Sequence, residues 1–374
     1  MKYFLIAGEP SGDMHAATLM EQLKAQDPEA QFEYFGGDLM QEQGGKLRKH
    51  YREMAFMGLL PVLLNLRAIQ KNFKSCEKYL LHFKPDVLIL IDYPGFNLRM
   101  ARFAKVHGIK TAWYISPKVW AWKTKRVKKI KAWVDQMYTI FPFETAFYQK
   151  YDYPVTYVGN PVWDLIHKEL QQTLKREAFF TRNKLPDQAT IALLAGSRTD
   201  EINALLPVME EVSKQFKEYQ FIIAGAPGRD AEFYSKLLKT EIPVLFNQTY
   251  SLLRCSEAAI VTSGTATLET GLLKIPQVVI YKMGMGWLLE RFRSVILKTD
   301  FFSLVNLVAE KEVVKELFQS QVNKEQISAE LSKILNKQSY RQKMIDGYDQ
   351  LIAKLQSEGA ALKAAKKIVA SLKK

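Results

Sequence analysis

Cysteine is almost missing from these 374 residues: Cys76 and Cys255 are the only two and stand far apart in the chain. A disulfide framework is therefore not what holds the fold together. Histidine is scarce as well, with His15, His50, His82, His107 and His167 scattered and none in a His-x-x-x-His spacing, so no metal site is expected. No apolar run reaches the roughly 20 residues that a membrane-crossing helix needs. No charged-then-apolar leader precedes the first candidate strand, and the expected location is cytoplasmic.

Negative charge is the minority, 39 Asp and Glu against 53 Lys and Arg, for a net +14. Such an excess favours an anionic partner, whether nucleic acid, a phosphate-bearing substrate or an acidic membrane surface, and does not choose among them. The cations cluster twice. Between Lys118 and Lys131 they are interleaved with Trp120, Trp122 and Trp133, a composition common to membrane interfaces and nucleic-acid surfaces. From Lys354 to Lys374 they accompany Ile352, Leu355, Leu362 and Ile368, which fit an amphipathic docking helix.

What the chain does have is a repeated strand-and-helix alternation. Strands are expected at 3–7, 31–35, 87–91, 111–115, 136–139 and 155–157, and again at 190–194, 220–224, 244–246, 258–261 and 277–281, with helices between most of them. The fold class is α/β: two doubly wound Rossmann-like domains facing a cleft, the natural place for an active site. Expected bounds are 1–165 and 166–340, with a helical tail over 341–374 long enough to pack back on the first domain.

Four strand-to-helix turns carry chemistry. The first, Ala7-Gly-Glu-Pro-Ser-Gly-Asp13, follows an apolar strand, and Asp13 is placed to cap the next helix. Its spacing is not Gly-x-Gly-x-x-Gly and Glu9 would repel a pyrophosphate, so the loop suits polar hydroxyls better. In the second, Val87-Leu-Ile-Leu-Ile-Asp-Tyr-Pro-Gly-Phe-Asn97, Asp92 ends a wholly apolar strand. A partly desolvated carboxylate there has a raised pKa and can act as a general base, with Asn97, Glu9 and Asp13 nearby; capping the following helix is the plainer reading of Asp92. The third, Gly196-Ser197-Arg198, offers a guanidinium fork and a helix amino terminus to phosphate oxygens. The fourth, Ser263-Gly264-Thr265 with Glu269 one turn on, reads as a phosphate cradle with a carboxylate for ribose hydroxyls. There is no Walker lysine and no acidic cluster, so dipoles and arginine rather than magnesium are expected to hold the diphosphate. One run breaks the alternation: Met54 to Leu66 is apolar but for one side chain and is flanked by Arg52, Arg67, Lys71 and Lys74. It is open to two readings, a buried core helix or an interfacial segment, and the basic flanks favour the interface.

Taken together these residues resemble the lipid-A-disaccharide synthase family over nearly the whole chain. The resemblance rests on Ala7–Asp13, Met54-Ala-Phe-Met-Gly58, Lys84-Pro-Asp86, Ile91–Asn97, Tyr114-Ile-Ser-Pro-Lys-Val-Trp-Ala-Trp122, Lys125-Arg-Val-Lys128, Phe141-Pro-Phe-Glu144, Gly196–Arg198, Ser263–Glu269, Lys298-Thr-Asp300 and Ser303-Leu-Val-Asn306. The family pattern usually has aspartate where Gly95 stands, proline at Val305 and glycine at Glu310. Gly95 removes a possible second carboxylate and leaves Asp92 as the base candidate.

The resemblance implies a GT-B glycosyltransferase that moves 2,3-diacylglucosamine from its UDP derivative to the 6-hydroxyl of 2,3-diacylglucosamine 1-phosphate, with inversion, giving UDP and a β-1′,6-linked disaccharide phosphate. The second domain would hold the UDP-sugar through Gly196, Ser197, Arg198, Ser263, Gly264, Thr265, Glu269 and Asn306. The first would hold the acceptor beside Glu9, Ser11, Asp13 and Asn97, with Asp92 catalytic; Lys118, Lys123 and Arg126 are candidates for its phosphate. Met57, Leu59, Leu60, Leu63 and Leu64 would meet acyl chains at the cytoplasmic leaflet of the inner membrane. No cofactor is implied, and a homodimer is permitted. The alternatives are another GT-B enzyme on UDP-N-acetylglucosamine, either a polyprenyl-linked transferase or a 2-epimerase, and a non-catalytic RNA- or membrane-binding protein. Nucleic acid is not an expected partner, because it would leave both glycine cradles and Asp92 without purpose.

Overall fold

The structure, a computed structural model, describes residues 1–54, 66–120, 124–282 and 301–373. Its contacts divide the chain into two units, Met1–Pro161 with Ser357–Lys374, and Val162–Gln356. The first is wound on seven parallel strands: β1 (Lys2–Ala7), β2 (Gln31–Gly36), β3 (Lys46–His50), β4 (Val87–Ile91), β5 (Lys110–Tyr114), β6 (Gln136–Thr139) and β7 (Thr156–Tyr157). Their spatial order is β3-β2-β1-β4-β5-β6-β7. The central strands are buried apolar runs, Tyr-Phe-Leu-Ile-Ala in β1 and Val-Leu-Ile-Leu-Ile in β4, as a sheet covered on both faces requires. Ala7 pairs with Ile91, so the chain leaves β1 and β4 at the same level. The strand order reverses between these two, and open α/β sheets hold ligands at that point.

The second unit repeats the winding with β8 (Thr190–Leu194), β9 (Gln220–Gly225), β10 (Val244–Phe246), β11 (Ala258–Thr262), β12 (Gln277–Tyr281) and β13 (Glu316–Phe318), ordered β10-β9-β8-β11-β12-β13. Its reversal falls between β8 and β11, where Leu194 pairs with Val261.

Two strands go beyond the sequence reading. β3, Lys-Leu-Arg-Lys-His, has no apolar face. It is fastened by Arg48, whose guanidinium makes two bonds to Glu33 of β2, one of them Nε to Oε2 at 2.6 Å, and lies 4.7 Å over the Tyr79 ring. β13 is a three-residue edge strand that pairs only with β12.

The tail also differs from the expected single segment over 341–374. Helix Gln338–Leu355 belongs to the second unit, where it buries Met344, Tyr348, Leu351 and Leu355. The Tyr348 hydroxyl is tied to Gln277 Nε2 at 3.3 Å. The helical run breaks at Gly359, φ +77°, a left-handed position that glycine adopts without strain. Only helix Ala360–Leu372 joins the first unit, laying its small-residue face against helix Pro10–Gln26. Among the described residues, no helix is long and apolar enough to cross a membrane.

Candidate functional site

In the first unit the strand ends after β4 and β5 are strained. Asp92 and Tyr93 have φ of +38° and +47°, and the β-branched Ile115, just past β5, has φ +68°. Such positions cost about 1–3 kcal/mol each and persist only where their surroundings impose them. Here the surroundings do. Asn97, in the first turn of helix Pro94–Val106, donates from Nδ2 to the Ile91 carbonyl at 3.1 Å and the Asp92 carbonyl at 2.7 Å. The Tyr93 hydroxyl donates to the Met54 carbonyl at 3.0 Å. Its ring lies so close to Gly8 that a Cβ there would sit 2.4 Å away, which explains why the first loop needs a glycine at that position. The resulting turn buries most of the Asp92 carboxylate, and burial pushes its pKa from 3.8 up to about 6, with Glu9 adding to the rise and Lys118 opposing it. The loops after β1, β4 and β5 thus act on one carboxyl group, which is ionised at neutral pH and more basic than an ordinary aspartate.

The other acceptor-side residues divide. Glu9 immediately precedes helix Pro10–Gln26 and Ser11 is exposed in its first turn. Asp13 is corrected. The helix begins at Pro10, whose fixed φ suits the first helical position, so Asp13 lies inside it and caps a different helix. Its carboxylate accepts from the backbone N–H groups of Gly37 (2.6 Å), Leu39 (3.1 Å) and Met40 (3.3 Å). Asn97 is 0 % exposed and holds the Asp92 turn from beneath through its Nδ2, so its part in the site is to position that turn.

Glu144 was visible in the sequence only as part of a motif. It is buried in the first turn of helix Pro142–Gln149, which follows β6, and accepts from the N–H groups of Ile140 (3.0 Å) and Phe141 (2.9 Å) and from the Trp120 indole (3.3 Å). Burial raises its pKa to about 7 against those bonds. It ties the segment after Ile115 to the β6 turn.

In the second unit Gly196 takes φ +110°, and a Cβ there would come within 2.6 Å of Glu201 Oε2. The tight turn exposes Ser197 and Arg198 at the amino terminus of helix Thr199–Ser213. Among the described residues the Arg198 guanidinium makes one ion pair, 3.5 Å from Glu201, with 58 % of its side chain exposed, so it is accessible to an anion. Sequence reasoning missed a second guanidinium: Arg229 donates to Thr199 Oγ1 at 2.6 Å. Its signal was the turn Gly225-Ala-Pro-Gly-Arg229 after the neighbouring strand.

At the β11 end Gly264 faces open space, with no atom within 4 Å of where a Cβ would stand, and Thr265 is exposed at the start of helix Thr265–Leu272. Ser263 is corrected as a donor. Its hydroxyl donates to the Phe302 carbonyl (3.1 Å) and its N–H to the Ile280 carbonyl (3.0 Å), so within this turn it is Gly264 and Thr265 that face open space. Glu269 accepts from the Tyr250 hydroxyl at 3.0 Å; burial raises its pKa.

Asn306 is likewise corrected. Buried and 0 % exposed, it gives both amide hydrogens to the Val314 carbonyl and Glu316 (2.9 Å each). Its oxygen accepts from the N–H groups of Val313 (2.8 Å) and Val314 (3.0 Å). Every hydrogen-bonding position is filled, so none is left for a nucleotide. Met57, Leu59, Leu60, Leu63 and Leu64 lie outside the described residues, as do Trp122 and Lys123. Among the described residues, no group of three or more His, Cys, Asp or Glu is placed to hold a metal.

Comparison with known proteins places this arrangement. Residues 3–370 match the family model described as Lipid-A-disaccharide synthetase. A lipid-A-disaccharide synthase of Coxiella burnetii is 37% identical over 370 residues, covering 97% of this chain and 96% of that one. The Geobacter sulfurreducens protein of the same name is 34% identical over 371 residues, covering 97% and 95%. Among solved structures, a UDP-GlcNAc 2-epimerase from Neisseria meningitidis, bound to UDP-GlcNAc, superposes with a TM-score of 0.67 at 15% identity, covering 100% of this chain and 99% of that one. The glycotransferase of kitacinnamycin superposes at 0.61 and 13% identity, covering 99% of both. At such identities the likeness concerns the fold alone, two Rossmann-like domains of the GT-B type. With the family model and its relatives agreeing over nearly the full length, the chain belongs to the lipid-A-disaccharide synthase family of GT-B glycosyltransferases.

Proposed function

We propose that the protein transfers 2,3-diacylglucosamine from UDP-2,3-diacylglucosamine to the 6-hydroxyl of 2,3-diacylglucosamine 1-phosphate in lipid A biosynthesis. The observation that carries the reading is the Asp92 turn: a strained, mostly buried carboxylate at the strand-order reversal of the first unit, raised to about pKa 6. Asp92 takes the proton from the acceptor hydroxyl as that oxygen attacks the anomeric carbon. The bond from that carbon to the UDP oxygen breaks on the opposite face, so the configuration inverts and no covalent sugar–enzyme intermediate forms. Charge building on the departing diphosphate is offset by Arg198 and the amino-terminal dipole of helix Thr265–Leu272, and Glu269 accepts from ribose hydroxyls. This chemistry calls for no cofactor and no metal. Since both sugars carry acyl chains, the enzyme works in the cytoplasm against the inner leaflet of the inner membrane, with Met57, Leu59, Leu60, Leu63 and Leu64 meeting the lipid; a homodimer is compatible with this reading.

Purified protein is incubated with both lipid sugars and a chelator, and disaccharide phosphate and UDP are scored. Both products form in a one-to-one ratio if the reading holds. No disaccharide from folded protein, or UDP release without disaccharide, sinks it. The variant Asp92→Asn is expected to lower turnover by about 100- to 10,000-fold, the range for loss of a general base, while still binding UDP.

A further inference from the structure

The first unit carries a groove that the mechanism above leaves unused. It encloses about 280 Å³ between helices Pro94–Val106 and Arg126–Trp133. Arg99 and Arg102 line one wall, Arg126, Lys129 and Trp133 the other, and Gly95, three residues past Asp92, opens onto it. Four cations converge there and no acidic residue lines it. The spacing makes this a property of both helices: 99 and 102, like 126 and 129, are neighbours one turn apart on a helix face.

Most of this charge is uncompensated. Arg99 stacks over Phe73 at 4.0 Å and lies 3.8 Å from Glu77. Arg102 and Lys129 lie over the Trp133 ring, each 5.9 Å from its centre. Among the described residues, neither they nor Arg126 have an ion pair or a side-chain hydrogen bond. Arg126 is partly buried and its pKa is lowered by that burial. Arg99, Arg102 and Lys129 are exposed and Arg126 is half-buried; their like charges repel through solvent, and an anion placed among them relieves that repulsion. The groove is too small for an acyl chain with its sugar, and large enough for a phosphate with part of a sugar ring.

We propose that this groove binds the phosphate monoester of the sugar 1-phosphate acceptor, seating it on the same loop that carries the base. The proposal rests on the acceptor assigned above. A dianion suits four converging cations, and the arginine forks can each take two phosphate oxygens. The diphosphate of the donor has its own place in the second unit, so the two phosphorylated substrates are recognised by different surfaces.

Two variants test it. Lys129→Glu puts a carboxylate into the groove at an exposed helix position, where a surface substitution costs the fold little. Arg102→Gln combined with Arg126→Gln removes two cations. KM is measured separately for acceptor and donor, and glucosamine 1-phosphate is titrated by calorimetry. The acceptor KM should rise about tenfold or more, the equivalent of roughly 1.4 kcal/mol, while the donor KM stays within about twofold. Glucosamine 1-phosphate binding should be lost in the double variant. Unchanged acceptor KM and unchanged glucosamine 1-phosphate binding in folded variants overturn the proposal. So does a loss confined to flotation with phosphatidylglycerol vesicles, which would assign the groove to a lipid headgroup. If the wild type forms no disaccharide, the reaction assigned above fails, and the glucosamine 1-phosphate titration decides the groove independently.

Discussion

The side-chain amide of Asn97 lies beneath Asp92, with Nδ2 2.7 Å from the aspartate carbonyl oxygen. Its second bond, to Ile91 at 3.1 Å, reaches back to the last residue of the strand. A helix is thereby fastened to the strand end across two left-handed residues, and the base is aimed by the backbone that carries it.

Replacing Asn97 with alanine should leave both carbonyls without that donor and release the strained turn. A stability loss of about 1–3 kcal/mol is expected in chemical denaturation. Turnover should fall about tenfold or more as Asp92 loses its aim, with UDP affinity retained because the proposed nucleotide site is in the other unit. Wild-type turnover in Asn97→Ala would show that the clamp does not matter to the base.

The pKa of Asp92 sets a pH dependence in both activity and stability. Activity should rise with pH through about 6, where the carboxyl group ionises, and then level off. Stability runs the other way. Between 3.8 and about 6 the native state holds a proton that the unfolded chain has released, so stability falls as pH rises through that window and the penalty remains above it. Its upper bound is about 3 kcal/mol. Asp92→Asn should therefore be more stable than the wild type at pH 8, with an advantage that shrinks as pH is lowered towards 4. Thermal melts of the two proteins across that range read the difference.

Arg198 and Asn306 should separate binding from folding. The arginine of the Arg198–Glu201 pair is 58 % exposed and the pair is long at 3.5 Å, so it contributes under about 1 kcal/mol. Arg198→Ala should therefore melt like the wild type and bind UDP about 10- to 100-fold more weakly, as expected for a lost charged hydrogen bond. Asn306→Ala removes four internal hydrogen bonds and should cost about 2 kcal/mol or more. Its folded fraction should bind UDP within about twofold of normal. Calorimetry and melting on both variants check the pair, and weakened UDP binding by stable Asn306→Ala would return that residue to the nucleotide site.

Removing the Glu144 carboxylate should loosen the segment that follows Ile115. In Glu144→Ala, the N–H groups of Ile140 and Phe141 and the Trp120 indole all lose their acceptor. A destabilisation of about 2–4 kcal/mol is expected, accompanied by red-shifted tryptophan emission as Trp120 becomes wetter. An unshifted spectrum would show that Trp120 is held by its ring contacts alone.

The legible part of this protein was the buried part. Val87–Ile91 is an uninterrupted apolar run and Gln277–Tyr281 is one after its first residue, as the central strands of a parallel sheet covered on both faces require. β3 could not be read because its hold on β2 is an Arg48–Glu33 pair between residues distant in sequence. The site divided along the same line. Gly196, Gly264 and Asp92 follow from local turn chemistry at strand ends, and Arg198 from its place at a helix start. Asp13 reads as a ligand residue from the glycine-punctuated first turn, and Asn306 from the family motif Ser303-Leu-Val-Asn306. Only the structure shows that both spend their hydrogen bonds on the backbone of other segments.

The seating of helix Ala360–Leu372 against Pro10–Gln26 bears on how the molecule is made. The ribosome delivers the sheet of the first unit early and its final helix only after the whole of the second unit has been synthesised. During that interval helix Pro10–Gln26 has no cover where Ala360, Ala364 and Ile368 will later sit, and nascent chains expose such surfaces to chaperones. The second unit, continuous in sequence, can finish first, so the domain that starts earliest is the one that closes last.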